Sequence, residues 1–189
     1  MISRITRFIY ECFHLKQIKH EGWRVVGISN PESVAGHSLT ASQIAYILAK
    51  MEGADAEKVV SIVVWHDIAE VRIGDLHKLG SYYFSNKHTV EEHVIRDQCK
   101  NLEFGKDLQA LLEEYEKRET KEGKIAKDAD ILEQAFQGQI YFQCGYKGAG
   151  EFVKNMESLF YTESAKKLWQ EMQKTDFYDW SRRKYFPKK

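Results

Sequence analysis

Apolar side chains recur along this chain mostly at helical spacing. From Ser33 onward, Val34, Leu39, Ile44, Ile47, Leu48 and Met51 keep a near-helical period and stop at Gly53, a residue that favours helix C-termini. Asp55 is placed to cap a second helix through Val59, Val60, Ile62, Val63, Val64 and Ile68. That helix is apolar nearly all round at its centre, so it is predicted to be buried. Further helical patterns cover residues 89–102, 107–117, 123–141, 152–160 and 164–172, with a glycine-rich turn over 145–150. The two prolines, Pro31 and Pro187, leave long helices with few obligatory breaks. The expected fold is all-α, a compact helical bundle forming a single domain over residues 1–189. No internal repeat, low-complexity linker or composition shift divides the chain, and the basic tail at Arg182, Arg183, Lys184, Lys188 and Lys189 reads as a solvated end.

Composition narrows the function classes. An apolar fraction of 43% with four Trp, ten Tyr and ten Phe is enough for one sizeable core in 189 residues. Lys+Arg and Asp+Glu balance at 28 each, so no overall field favours nucleic acid or an acidic membrane surface as a partner. Cys12, Cys99 and Cys144 are far apart and form no C-x-x-C pair, which argues against a disulfide framework or a thiolate zinc site. No apolar run approaches the roughly 20 residues of a membrane span, and Arg4, Arg7 and Glu11 interrupt the first twelve residues. A soluble protein of the reducing cytoplasm is expected.

Candidate chemistry sits on three of the predicted helices. His37 lies in the first turns of the helix after Ser33, the adjacent pair His66 and Asp67 near the end of the second helix, and Asp130 on the helix over 123–141. Two imidazoles and two carboxylates suit one divalent ion such as Mn, Co, Fe, Ni or Zn, and are too oxygen-poor for calcium. Glu70, four residues after His66, is expected on the same helical face, where it can exchange a proton with a water that the ion activates. Asp75, just past Gly74, is expected on the loop leaving that helix. His88 and His93 bracket Glu91 and Glu92, but a spacing of five turns them apart on a helix and disfavours a metalloprotease site.

Four blocks in order carry a resemblance. They are Gly22-Trp23; Pro31-Glu32-Ser33-Val34-Ala35-Gly36-His37-Ser38; His66-Asp67-Ile68-Ala69-Glu70 with Gly74-Asp75-Leu76; and Lys127-Asp128-Ala129-Asp130-Ile131-Leu132. Spanning residues 22–132, they resemble the HD-domain metal-dependent phosphohydrolases, most of all the 5'-deoxynucleotidase and oxetanocin-like branch. The resemblance implies an all-helical fold, one divalent ion held by His37, His66, Asp67 and Asp130, and Glu70 acting with the activated water. It further implies Asp75 close to substrate, a nucleoside 5'-monophosphate as substrate and, commonly, a homodimer. Within Asp128-Ala129-Asp130 the family pattern selects Asp130 as ligand and leaves Asp128 as a surface or helix-capping charge.

Two departures from the family pattern bear on specificity. Gly36 stands where relatives carry an acidic residue before the first metal histidine. Relatives also place an arginine two or three residues from the tryptophan, where this chain has Val26 and His20, and Arg24 follows Trp23 directly. Arg24 is the candidate phosphate clamp because a guanidinium binds phosphate bidentately; failing it, His20, Lys19 or Lys78 would substitute. Trp23 either stacks on the base or packs internally, and His77 is a further candidate for substrate contact. The readings that remain open beside the nucleotidase are an HD phosphohydrolase for a triphosphate, cyclic or signalling nucleotide, and a noncatalytic metal- or nucleotide-binding module.

Overall fold

The computed structural model describes residues 1–185, and among them the regular structure is helical, with one isolated antiparallel bridge between Lys19 and Ser33. The order is α1 (Ile2–Phe13), α2 (Gly22–Val25), α3 (Val34–Glu52), α4 (Ala56–Trp65), α5 (Glu70–Ile73), α6 (Lys78–Ser81), α7 (Lys87–Cys99), α8 (Gly105–Lys117), α9 (Lys121–Gln143), α10 (Lys147–Val153), α11 (Glu163–Met172) and α12 (Asp179–Tyr185). No helix among the described residues is long and apolar enough to cross a membrane. Lys188 and Lys189 of the basic tail lie outside the described residues, as do the side chains of Arg183 and Lys184; Arg182 pairs with Asp176.

The central helices begin and end where local chemistry directs. Ser33 caps α3 by accepting the Gly36 amide at 3.1 Å, and Gly53 ends it in the left-handed conformation (φ 65°), which costs a glycine little. Asp55 caps α4 through the Lys58 amide, and Thr120 caps α9 through the Gly123 amide. These helices pack on one another through small side chains. Ala41, Ala45 and Ala49 of α3 and Ala126, Ala129 and Ala135 of α9 are buried in one cluster with Leu48, Val59, Ile62, Val63, Ile125 and Leu132. Alanines let the helix axes approach, and each large side chain removed from water contributes about 1.5–3 kcal/mol. A second cluster packs α1 against the segment after α4 through Phe8, Leu15, Val34, Ile68 and Val71, with Leu108 and Leu112 of α8. In a third, Trp23, Ile28 and Ala149 meet beside Gly138 of α9, where a β-carbon would stand 2.5 Å from Val153 and 3.0 Å from the Trp23 ring.

Three expectations are corrected here. The second helix ends at Trp65, so His66, Asp67 and Glu70 do not share one continuous helix; residues 66–69 form turns and Glu70 starts α5. The reason is local: the His66 imidazole Nδ1 donates to the Val63 carbonyl at 2.6 Å and the His66 amide reaches the same oxygen at 3.4 Å, closing the helix in a tighter turn. The glycine-rich stretch at 145–150 is mostly helix α10, which ends at Val153, and the predicted helix over 152–160 is replaced by a short 3-10 turn, Glu157–Leu159. Within α10, Gly150 approaches Phe142 so closely that a built β-carbon would stand 2.5 Å from its ring, which explains glycine at that position. Asp128 is neither a surface charge nor the cap of α11, whose cap is Thr162; it holds that capping segment from the interior. Fully buried, it accepts the Tyr161 and Thr162 amides at 2.8 Å each and the Thr162 hydroxyl at 2.7 Å, just ahead of α11.

Candidate metal centre and substrate cleft

His37 in the first turn of α3, His66 at the end of α4, Asp67 beside it and Asp130 midway along α9 converge on one point. His37 Nε2 lies 3.3 Å from His66 Nε2, 3.2 Å from Asp130 Oδ1 and 3.6 Å from Asp67 Oδ2. His66 Nε2 lies 3.1 Å from Asp67 Oδ2 and 3.7 Å from Asp130 Oδ1. Both Nδ1 atoms are committed elsewhere, His37 to Glu133 Oε2 at 2.5 Å and His66 to the Val63 carbonyl. With hydrogens on Nδ1, the two Nε2 lone pairs face each other, an arrangement that repels unless a positive charge lies between them. Donors around one ion at bond lengths of about 2.1 Å stand about 3.0–3.4 Å apart at neighbouring octahedral or tetrahedral positions, close to the separations found. The residues fit a divalent ion.

A layer of outer partners holds the ligands. Asp130 Oδ2 accepts from Tyr115 at 2.6 Å and Lys127 Nζ at 2.8 Å, and Oδ1 accepts from Gln134 at 2.8 Å. Burial opposes the charge on Asp130, but Lys127 and the two imidazoles outweigh it and hold the carboxyl well below the usual carboxylate range. Burial also opposes protonation of His37, yet Asp130, Glu133 and Asp67 push its pKa well above the ordinary histidine value. The cluster thus draws positive charge to the point where the four ligand atoms meet. Lys127, Glu133 and Gln134 are three or four residues from Asp130, so they share its face of α9 and were findable by helical spacing. Tyr115 comes from α8 and had no such signal.

The centre opens into a cleft of about 430 Å³. Glu70 lines it and is buried; that burial, with Asp67 and Asp75 nearby, raises its carboxyl well above the usual range. Asp75 lines the cleft too, and its Oδ2 accepts the Glu21 amide at 2.6 Å, tying the loop after α5 to the start of α2. His77 and Lys78 both reach the wall, His77 while capping α6 through the Gly80 amide and Lys78 with its amine 5.4 Å from the Phe152 ring centre. Trp23 takes its packing reading: it is buried, its indole N–H donates to Glu32 at 3.1 Å, and Tyr141 and Phe152 meet it edge-on. One side of it still reaches the cleft.

Arg24 is a correction. It does not line the cleft: its guanidinium pairs with Glu21 at 2.7 Å and donates to the Ser29 carbonyl at 2.8 Å. Following Trp23 directly, it projects about 100° around the helix from a residue that points inward. The cleft instead carries two cations that sequence reading passed over, Lys87 and Lys127.

His37, His66, Asp67 and Asp130, with Glu70 beside them, offer the donor set and the acid that metal-dependent hydrolysis requires, and the comparisons point the same way. The HD domain matches residues 12–176, and the chain belongs to that family, the metal-dependent phosphohydrolases. Among its relatives are proteins named 5'-deoxynucleotidase. That of Schizosaccharomyces pombe, hdd1, is 31% identical over 158 residues, covering 79% of this chain and 79% of the relative. That of Dictyostelium discoideum, HDDC2, is 30% identical over 149 residues, covering 74% and 78%. A conserved hypothetical protein from Pyrococcus furiosus has a solved structure matching at a TM-score of 0.78 and 31% identity, over 90% of this chain and 99% of that one.

Proposed function

We propose that this enzyme removes phosphate from nucleoside 5'-monophosphates, deoxynucleotides foremost, releasing nucleoside and inorganic phosphate. The observation that carries the reading is the convergence of His37, His66, Asp67 and Asp130 within a cleft that also holds the buried Glu70. The 5'-deoxynucleotidase relatives supply the substrate class. The two nitrogen and two oxygen donors would hold Mn, Co, Fe, Ni or Zn, and such an ion supplies Lewis acidity, lowering the pKa of a bound water and polarising a phosphoryl oxygen.

The chain's own residues complete the reaction. Glu70 stands beside the centre and, as a carboxylate, is placed to take up the proton released by the attacking water. Asp75, with one oxygen anchored on the Glu21 amide, is fixed at the cleft wall to position a substrate hydroxyl. Trp23, Phe152 and Val26 give part of the wall an apolar surface suited to a sugar or base, away from the ionic floor. Tyr115, Lys127 and Gln134 occupy the Asp130 oxygens and keep that ligand in place.

The test is phosphate release from a panel of ribo- and deoxynucleoside mono-, di- and triphosphates, using metal-stripped protein reloaded separately with Mn, Co, Zn, Mg or Ni. Release from monophosphates that disappears in His66→Ala supports the reading. Release confined to triphosphates or cyclic nucleotides, or none from any nucleotide by metal-loaded protein, rejects it.

A further inference from the structure

With Arg24 turned away, the cleft needs another cation for a phosphate dianion, and the side chains at its wall can be taken one at a time. Lys19 does not line the cleft; its amine donates to the Pro31 carbonyl at 3.0 Å. His20 holds Glu32 through Nδ1 at 3.2 Å. Lys127 is committed to Asp130 and Tyr115. Lys78 lies over Phe152, at the apolar part of the wall. Lys87 remains. It lines the cleft from the first turn of α7, and its one ion-pair partner among the described residues is Glu91, at 3.2 Å.

The surroundings of Lys87 place it at the ionic end. Glu70 and Asp67 are both near enough to act on its charge. Burial opposes that charge, but Glu91, Glu70 and Asp67 outweigh it and keep the amine protonated. Lys87 lines the same cleft as His37, His66, Asp67, Glu70 and Asp130, while Trp23, Val26 and Phe152 give that cleft its apolar wall. A nucleotide spanning the cleft with its base on the apolar wall directs its phosphate toward Lys87.

We propose that Lys87 is the phosphate-binding cation of this enzyme, taking the place of the arginine that the chain does not present. The ammonium donates a charge-assisted hydrogen bond to a non-bridging phosphate oxygen, and Glu91 competes with the phosphate for it. The inference rests on the nucleotidase reading for its substrate, but its direct consequence, binding of inorganic phosphate, does not need turnover.

The experiment is calorimetric titration of manganese-loaded protein with inorganic phosphate, for wild type, Lys87→Met, Lys87→Arg and Glu91→Gln, with KM for deoxyadenosine 5'-monophosphate measured beside it. Lys87→Met is expected to weaken phosphate binding about tenfold or more, the usual size for a lost hydrogen bond to a charged group, and to raise KM in step. Lys87→Arg should recover most of the loss, and inhibition by the uncharged product deoxyadenosine should not move. Glu91→Gln should tighten phosphate, which keeps the test alive if Lys87→Met fails to fold. Phosphate affinity unchanged in Lys87→Met, or not tightened in Glu91→Gln, overturns the inference. Lys87-dependent phosphate binding by a protein that releases phosphate from no nucleotide sustains it and rejects the nucleotidase reading instead.

Discussion

His37, His66 and Asp130 stand on or at the ends of helices of 19, 10 and 23 residues whose remaining side chains fill the central core. Trp23, Arg24 and Lys78 stand on α2 and α6, helices of four residues each, with Asp75 and His77 on the loop between α5 and α6. The floor of the cleft is therefore fixed by packing that extends far beyond it, and His37, His66 and Asp130 each have a further partner outside the centre. Past the anchored Trp23, the rim between α5 and α6 is held by contacts such as Asp75 on Glu21 and His77 on Gly80, and beyond it Leu79, Tyr82 and Tyr83 are 60%, 82% and 75% exposed. An ion needs donors placed within a few tenths of an ångström, a precision that long packed helices supply, whereas a substrate wall tolerates looser placement.

The comparison can be broken at several depths. The largest effect belongs to a ligand: His66→Ala should release the ion and lower phosphate release by at least about a thousandfold, read by metal content and turnover together. Full metal occupancy in that variant would refute the assignment of the floor. Glu70→Gln should keep the metal while kcat falls by about 10²–10⁴, the range of a lost acid-base group, and near-normal turnover would make Glu70 a bystander. One step outward, Glu133→Gln removes the carboxylate that orients His37 and should weaken metal affinity about 10–100-fold, measured by competition with a chelating dye. At the rim, Arg24→Ala should change kcat/KM by no more than about twofold, as for a surface side chain remote from the chemistry. A tenfold loss there would return the phosphate clamp to Arg24.

The smallest prediction lies behind the floor, where Arg72 bridges α5 to Glu11 of α1. Burial raises the Glu11 carboxyl, but hydrogen bonds from Arg72 and Gln98 outweigh it, so its folded pKa is lowered. A lowered carboxyl contributes stability above its unfolded pKa, near 4.3, and loses it as pH falls through the folded value. Urea unfolding should therefore show wild type above Glu11→Gln by less than about 1 kcal/mol at pH 7, given the exposure of the pair, with the gap closing in acid. A gap that widens in acid would reverse the sign.

Helix starts were the most legible part of the fold. Ser33, Asp55 and Gly53 mark boundaries with their own side chains or backbone freedom, and the structure puts the ends of α3 and the start of α4 where those residues predicted. Periodicity failed where a particular side-chain contact accompanies the local path. The end of α4 coincides with the His66 imidazole reaching back to the Val63 carbonyl, and the glycines read as a turn are packed in a helix, with Gly150 close against Phe142.

At the site, the four candidate ligands were legible in the sequence by residue type and order, because an ion of this class demands imidazole and carboxylate donors whatever the fold. The partners of Asp130 on its own helix were equally within reach, since spacing alone sets them on one face. What sequence could not decide was direction across space: that Arg24 turns toward Glu21 and Ser29, that Trp23 gives its indole N–H to Glu32, that Tyr115 arrives from α8, and that Lys87 lines the same cleft as Glu70. Those pairings join residues on different elements, and their geometry exists only once α3, α4, α8 and α9 have packed, because packing rather than spacing determines which side chains share the space above the ion.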